Sequence, residues 1–336
     1  MSFRRYSVLL LALIVPLGMV ATVSGEEAKP RVQTLTGHTS SVMTVAFSAD
    51  GKTLASGCRD QTVMLWDVST GNLLRRLQGH QADIYAVRFC PVRDLLVSGS
   101  GDTTVRFWDM QSGDSTRTLS AHSDIIRATA FSLDGCLLAT GSVDKTLRLW
   151  SVETGEQQRT FSGHQSAVKS VVFLPHGNLL ASGSADHTVC LWDVRTGNLE
   201  RRLVGHTSSV EAIDVSPEGE VLASTGSDST IRLWDVRTGT PLRTLLGHRG
   251  EIDTVVFSPA GKILASGCKD KKINIWDVNS GRLLSTLTGH SDRIESLAFS
   301  ADGKMLASAS GSLDSSVKLW NIASLSLRPD AEGDRR

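Results

Sequence analysis

The chain has 336 residues, and its 35 lysines and arginines balance its 35 aspartates and glutamates. A neutral chain has no broad positive field, which excludes nucleic acid or an anionic membrane as a partner held by bulk charge. Five cysteines, Cys58, Cys90, Cys136, Cys190 and Cys268, show no CxxC or Cys/His spacing. They read as small apolar fillers or free thiols, not as a zinc site or a disulfide framework.

In chain order, Arg4 and Arg5 come first, followed by the uncharged and largely apolar run Val8 to Val23. That run is broken by Pro16 and Gly18 and falls short of the roughly 20 residues that a membrane-spanning helix needs. Small residues at Val23-Ser24-Gly25 offer a cleavage point, so residues 1–25 read as a secretory signal peptide. The mature chain is then expected outside the cytoplasm, secreted or periplasmic, with 26–30 as a short linker. An uncleaved segment would instead anchor the chain at a membrane, and a buried core element is a third reading. No cysteine near the cleavage point suggests a lipoprotein signal.

A repeated unit follows. A histidine stands at His38, His80, His122, His164, His206, His248 and His290, every 42 residues. Tryptophan follows at Trp66, Trp108, Trp150, Trp192, Trp234, Trp276 and Trp320, also every 42 residues except for a last step of 44. Each unit holds short apolar stretches between turn residues, such as Val42 to Phe47, Leu54-Ala55-Ser56, Val63 to Val68 and Leu73 to Leu77. Runs of this length, rich in Val, Leu and Phe and bounded by Gly, Asp and Ser, predict four strands in an antiparallel meander. No segment of the repeats predicts a helix.

The Gly-His to Trp-Asp spacing over residues 31–322 resembles the WD40 family. The resemblance implies an all-β, seven-bladed β-propeller with four-stranded antiparallel blades. Trp150-Ser151 and Trp320-Asn321 depart from the Trp-Asp pair, and Arg93 replaces the glycine of the first turn in repeat two. Repeat seven lacks a fourth strand, while Val32-Gln33-Thr34-Leu35 matches Leu283 to Leu287. In this family an N-terminal strand completes the last blade and closes the ring, which removes the two open ends of an array. Residues 323–336 read as a polar tail.

Each repeat carries a histidine, a hydroxyl residue, an aspartate and a tryptophan at fixed offsets. The sets are His38, Ser56, Asp60, Trp66; His80, Ser98, Asp102, Trp108; His122, Thr140, Asp144, Trp150; and His164, Ser182, Asp186, Trp192. They continue with His206, Ser224, Asp228, Trp234; His248, Ser266, Asp270, Trp276; and His290, Ser308, Asp314, Trp320. A Ser/His/Asp set invites a hydrolase reading. Sevenfold repetition argues against it, because an active site needs one triad and a structural device is needed in every blade. The resemblance implies a buried hydrogen-bond chain from tryptophan to carboxylate. His176 and His187 each stand alone beside a turn and read as surface residues. With no HExxH, P-loop, GxSxG or GxGxxG in context, neither catalysis nor a cofactor is expected.

The histidine and aspartate loops must share one end of each blade, here called the top. An aliphatic residue lies four places after each histidine, and apolar residues (Thr129 excepted) follow at seven and nine. That odd step predicts a β-bulge between them. Positions around it differ between repeats. Five places on lie Met43, Tyr85, Arg127, Lys169, Glu211, Asp253 and Glu295, and three places on lie Asp83, Ile125, Glu251 and Arg293. Arg59 and Lys269 stand just before their aspartates. In WD40 propellers such offsets resemble the top-face positions that touch partners. The leading expectation is a non-enzymatic scaffold binding a protein or peptide of mixed charge, its acidic end toward Arg127 and Lys169 and its basic end toward Glu211 and Asp253. A rim in which these charges neutralise each other, for example Lys169 with Glu211, is the competing reading. A propeller enzyme or small-molecule binder using the central channel, and a membrane-anchored assembly subunit, are the alternative functions.

Overall fold

The computed structural model describes residues 30–323. The signal reading of 1–25, most of the 26–30 linker and the tail from 324 onward therefore lie outside the described residues. Inside them the chain forms strands β1 to β28, numbered in chain order, and no helix.

The first repeat makes one antiparallel sheet in sequential order: β2 (Val42–Phe47), β3 (Thr53–Cys58), β4 (Val63–Asp67) and β5 (Leu73–Leu77). Five more sheets repeat it, from β6 (Ile84–Phe89) to β25 (Leu283–Leu287). The last sheet has the order β1-β28-β27-β26, with β26 at Ile294–Phe299, β27 at Met305–Ser310 and β28 at Val317–Asn321. Here β1 (Arg31–Leu35) takes the outer place, pairing Arg31 with Asn321 and Leu35 with Val317. Innermost strands of neighbouring blades touch in turn, and β2 touches β26, so the seven blades form a closed ring.

Burial follows position within the blade. The central strand β3 is buried on both faces between neighbouring blades, whereas the outer β5 is exposed except at Leu77. The core is seven apolar layers, each shared by two adjacent blades. Between blades one and two, for example, Val63, Leu65 and Leu77 pack against Ile84, Val87 and Trp108. The blades approach so closely that a Cβ on Gly141 would lie 2.7 Å from Val168 Cγ1 of the next blade. Glycine is required there by contact and not by backbone freedom.

Blade two absorbs the loss of its first-turn glycine locally. In the other blades the first turn carries a left-handed glycine, such as Gly51 at φ 70° or Gly135 at φ 66°. Arg93 does not adopt that conformation, and Leu95 N–H instead donates to the Arg93 carbonyl at 2.8 Å. The hairpin is rebuilt without altering the strands that flank it.

Candidate functional site

The seven tetrads come together in every blade. In blade four, Trp192 Nε1–H donates to Ser182 Oγ at 2.8 Å, and that oxygen lies 2.7 Å from His164 Nε2. His164 Nδ1 lies 2.8 Å from Asp186 Oδ2. One proton arrangement satisfies every atom: the hydroxyl donates to Nε2, and Nδ1–H donates to the carboxylate. The imidazole is then neutral. Burial pushes the pKa of His122, His164, His206, His248 and His290 down, against the pull of their aspartates.

The aspartates also tie down backbone. Asp186 Oδ2 accepts from Gln165 N–H at 2.9 Å, while Oδ1 accepts from Thr188 N–H at 3.0 Å and Thr188 Oγ1 at 2.6 Å. Burial alone would raise this carboxyl, but the Thr188, Gln165 and His164 hydrogen bonds outweigh it and lower the pKa to about 2. Each aspartate thus holds the turn between the second and third strands against the loop before the first. The residue after it is forced into the left-handed region, from Ser315 at φ 50° to Lys145 and His187 at φ 72°. Ser182 is fully buried and saturated by tryptophan and histidine, so it has no path to a substrate. His176 and His187 are exposed.

Cys58 and Cys268 resolve into a related role. The Cys58 thiol donates to the Ser40 carbonyl at 3.3 Å and accepts from Asp60 N–H at 3.3 Å. Ser100, Ser142 and Ser184 make the same pair of bonds in their blades. Burial pushes both thiols up to about 12, and all five cysteines are free. Although His38, Cys58 and Asp60 lie close enough to surround an ion, as do His248, Cys268 and Asp270, their donor atoms are already engaged in these bonds.

The bulge lies where the odd step in the sequence predicts it. In all seven blades the innermost pairing slips by one residue, between Val42 and Thr44 in the first and between Ile294 and Ser296 in the last. The skipped residue is Met43, Tyr85, Arg127, Lys169, Glu211, Asp253 or Glu295. The bulge therefore turns the varying residue out of the ladder and toward the ring axis. These side chains meet in a funnel at the top of the central channel, enclosing about 290 Å³.

Their geometry revises the expected surface. Met43 is buried. The Glu211, Asp253 and Glu295 side chains are only 7%, 8% and 8% exposed. Lys169 Nζ lies 2.7 Å from both oxygens of Glu211, which also accepts from Ser227 Oγ. The self-paired arrangement is thus the one formed at this position, because the bulges of neighbouring blades bring the two side chains within reach. Arg293 bonds Asp253 at 2.5 Å and lies 3.2 Å from Glu295, while Lys269 bonds Glu251. Glu211 and Asp253 cannot serve as an open acidic face for a basic peptide end. Burial, together with Glu295 and Glu251, raises the pKa of Asp253 in spite of Arg293. Burial likewise raises Glu295.

The cationic side is more open. The Arg127 guanidinium lies over the Tyr85 ring at 4.5 Å, Tyr85 donates to Asp83 at 3.2 Å, and Arg59 approaches Asp83 at 3.6 Å. Arg59 is exposed, Ile125 is half-buried, and Leu313 in the loop of blade seven is 79% exposed.

Two channel residues escaped the sequence reading. Arg88 and Asp214 stand eight places after their histidines, where the other repeats have Ala46, Ala130, Val172, Val256 and Ala298. That break in an otherwise small, apolar column was the available signal. Asp214 accepts from Phe257 N–H at 2.7 Å. Burial raises its pKa to about 6, against backbone N–H groups and the Arg88 charge. The inner strand is a sheet edge, and neighbours cap its amides: Thr44 takes Val87 N–H, and Ser170, Thr254 and Ser296 act alike.

Seven stretches, 29–67, 71–109, 113–151, 155–193, 197–235, 239–277 and 281–321, match the WD40 family, described as WD domain, G-beta repeat. The chain belongs to that family of seven-bladed propellers. It is similar to the vegetative incompatibility protein HET-E-1 of Podospora anserina, with 50% identity over 56 residues, covering 16% of this chain and 4% of that one. It is also similar to Protein Mut11 of Chlamydomonas reinhardtii, 60% identical over 37 residues, or 11% of this chain and 10% of that one. An uncharacterized WD repeat-containing protein of Synechocystis is 48% identical over 48 residues, 14% of each chain. The matches span small parts of these relatives, from 37 to 56 residues or about one repeat each, and report repeat chemistry.

Proposed function

We propose that this protein is a non-enzymatic scaffold that binds a protein or peptide through the top face of its propeller, outside the cytoplasm. One observation carries the binding reading. Residues that repeat seven times are consumed by hydrogen bonds within the blades, whereas those that vary are turned by the seven bulges into one funnel. A side chain that varies where the backbone is fixed is free to follow a ligand. The exported location rests on the sequence of residues 1–25 alone.

The outward groups define the partner's chemistry. Arg59 and Arg127 offer cations on blades one and three, and Leu313 offers an apolar contact on blade seven, beside Arg59 around the ring. An acidic group next to an apolar side chain fits that arrangement. Electrostatic complementarity would set its orientation and association rate. The test compares proteins captured by the wild type, by Arg59→Glu/Arg127→Glu/Leu313→Asp, and by Leu133→Asp at the opposite end. Partners kept by Leu133→Asp and lost by the triple variant support the top face. Partners lost equally from both, or from neither, defeat it. For location, N-terminal sequencing of the exported chain should begin near Glu26, and full-length protein in the cytosol would contradict export.

A further inference from the structure

Below the funnel the channel continues into a vestibule of about 340 Å³, which opens at the end opposite the tetrads, where Leu133 is 69% exposed. Its walls carry Phe89, Phe131, Phe173 and Leu297, and its four hydroxyl groups already accept from backbone amides. Among the described residues that line it, only Arg88 and Asp214 are charged. Arg88 also lines the funnel, so it stands where the two chambers meet. Its guanidinium is poorly served there. Among the described residues its acceptor is the Val87 carbonyl, 2.9 Å from Nη1. Asp214 acts on it only through space, since that carboxylate is taken by Phe257 N–H. Burial lowers the Arg88 pKa, against the attraction of Asp214, but a guanidinium stays charged. Nor does the blade require it, because Ala46 and Ala130 fill the same place in the blades on either side. A cation with unused donors therefore faces an apolar chamber, within walls that strengthen any ionic contact made there.

We propose that the vestibule binds a small monocarboxylate with a slim apolar body, its carboxylate against Arg88 and its body among the phenylalanines. The forked donors of a guanidinium match the two oxygens of a carboxylate. One free cation suits one negative charge, and a second charge on the ligand would meet apolar wall or Asp214. Volume limits the body. An apolar cavity of about 150 Å³ holds one benzene, so a chamber about twice as large takes roughly an eight-carbon chain. The site lies at the other end of the channel from the face proposed to hold a protein partner, and does not depend on that reading.

The experiment titrates the full chain with sodium octanoate at pH 8, up to about 10 mM, by calorimetry and by thermal melting. One octanoate per chain is expected, with a Kd on the order of 10⁻⁴–10⁻³ M for so small a ligand. Octanol has the same body without the charge, and acetate the charge without the body. Each should bind at least about tenfold more weakly. Arg88→Ala installs the residue of Ala46 and Ala130, so it should fold, and its affinity for octanoate should drop at least about tenfold. Asp214→Asn removes the negative charge that shares the chamber and should bind octanoate about threefold more tightly. A merely apolar cavity would show neither change. No binding up to that concentration, or octanol or acetate binding as tightly as octanoate, overturns the proposal. So does unchanged affinity in Arg88→Ala or in Asp214→Asn, and either variant decides alone if the other does not fold.

Discussion

The tetrad layer and the channel lining occupy the same blades, yet they are built on opposite principles. In the tetrads one chemistry recurs seven times, and each polar atom has its partner. Along the channel six residue types share the seven equivalent places, and their partners lie across blades: Lys169 on Glu211, Arg293 on Asp253, Arg127 on Tyr85. Repetition marks what the fold needs from each blade. Variation marks what the ring as a whole is free to use.

The largest expected effect comes from cutting one tetrad. Asp186→Ala leaves His164 Nδ1–H and the amides of Gln165 and Thr188 without their acceptor, and should destabilise by about 1–3 kcal/mol. Chemical denaturation measures it. Captured partners should be unchanged, and a variant of wild-type stability that loses its partners would erase the distinction between the layers.

The two layers should also respond to acid with opposite sign. Asp214 has a folded pKa of about 6, above the ordinary carboxyl value of 3.8. Its contribution is fully present below that ordinary value and is lost as pH rises through about 6. Asp214→Asn keeps an acceptor for Phe257 N–H and removes the charge, so it should stabilise by about 1–3 kcal/mol at pH 8, fading to nothing near pH 4. An advantage that persists unchanged at pH 4 would show that charge is not its cause.

The tetrads run the other way. Asp186, at about 2, contributes stability that is present above its ordinary value of 3.8 and lost as pH falls through about 2. The five lowered histidines contribute stability present above their ordinary value of 6.5 and lost on acidification below it. Asp253 and Glu295, which burial also raises, act in the same direction as Asp214, so on an Asp214→Asn/Asp253→Asn/Glu295→Gln background stability should fall between pH 7 and 5, by at most about 1.4 kcal/mol per pH unit for each histidine. A flat curve over that range would mean that the imidazoles are not held neutral.

The smallest effect concerns backbone. Thr103 is β-branched and sits at φ 68° in the turn after Asp102, a conformation that penalises it. Thr103→Gly should stabilise by up to about 1 kcal/mol in melting experiments. Destabilisation would mean that the side chain does more at the turn than the strain costs.

The tetrad residues were legible from sequence by their fixed spacing, and the hydrogen-bond chain they form was legible only through the resemblance to the WD40 family. Val42 to Phe47 and Leu73 to Leu77 are strands over just those residues, while Val63 to Val68 stops at Asp67, whose carboxylate caps the turn that follows. The bulge was legible too, from the step between Val42 and Val45. What the sequence could not convey was distance across the ring. Residues known only to leave the core turn out to crowd one axis, so Glu211 and Asp253 find cations before any peptide does. Arg88 and Asp214 were overlooked because two charges in an apolar column look like ordinary surface until the column lines a channel.

The outer strand of the last blade carries a different lesson. In the other six blades the outer pairing slips near the tryptophan, as at Leu65 and Trp66, but β1 and β28 pair without a break. No turn joins them, so nothing forces the slip. Topologically the chain is a line laid out as a circle, and this register is where line and circle differ. Since Arg31 faces Asn321, a turn like that from Asp67 to Asn72 could splice the two together and the chain could be reopened between any other pair of blades. Such a circular permutant would move the seam around the ring while leaving every blade its neighbours.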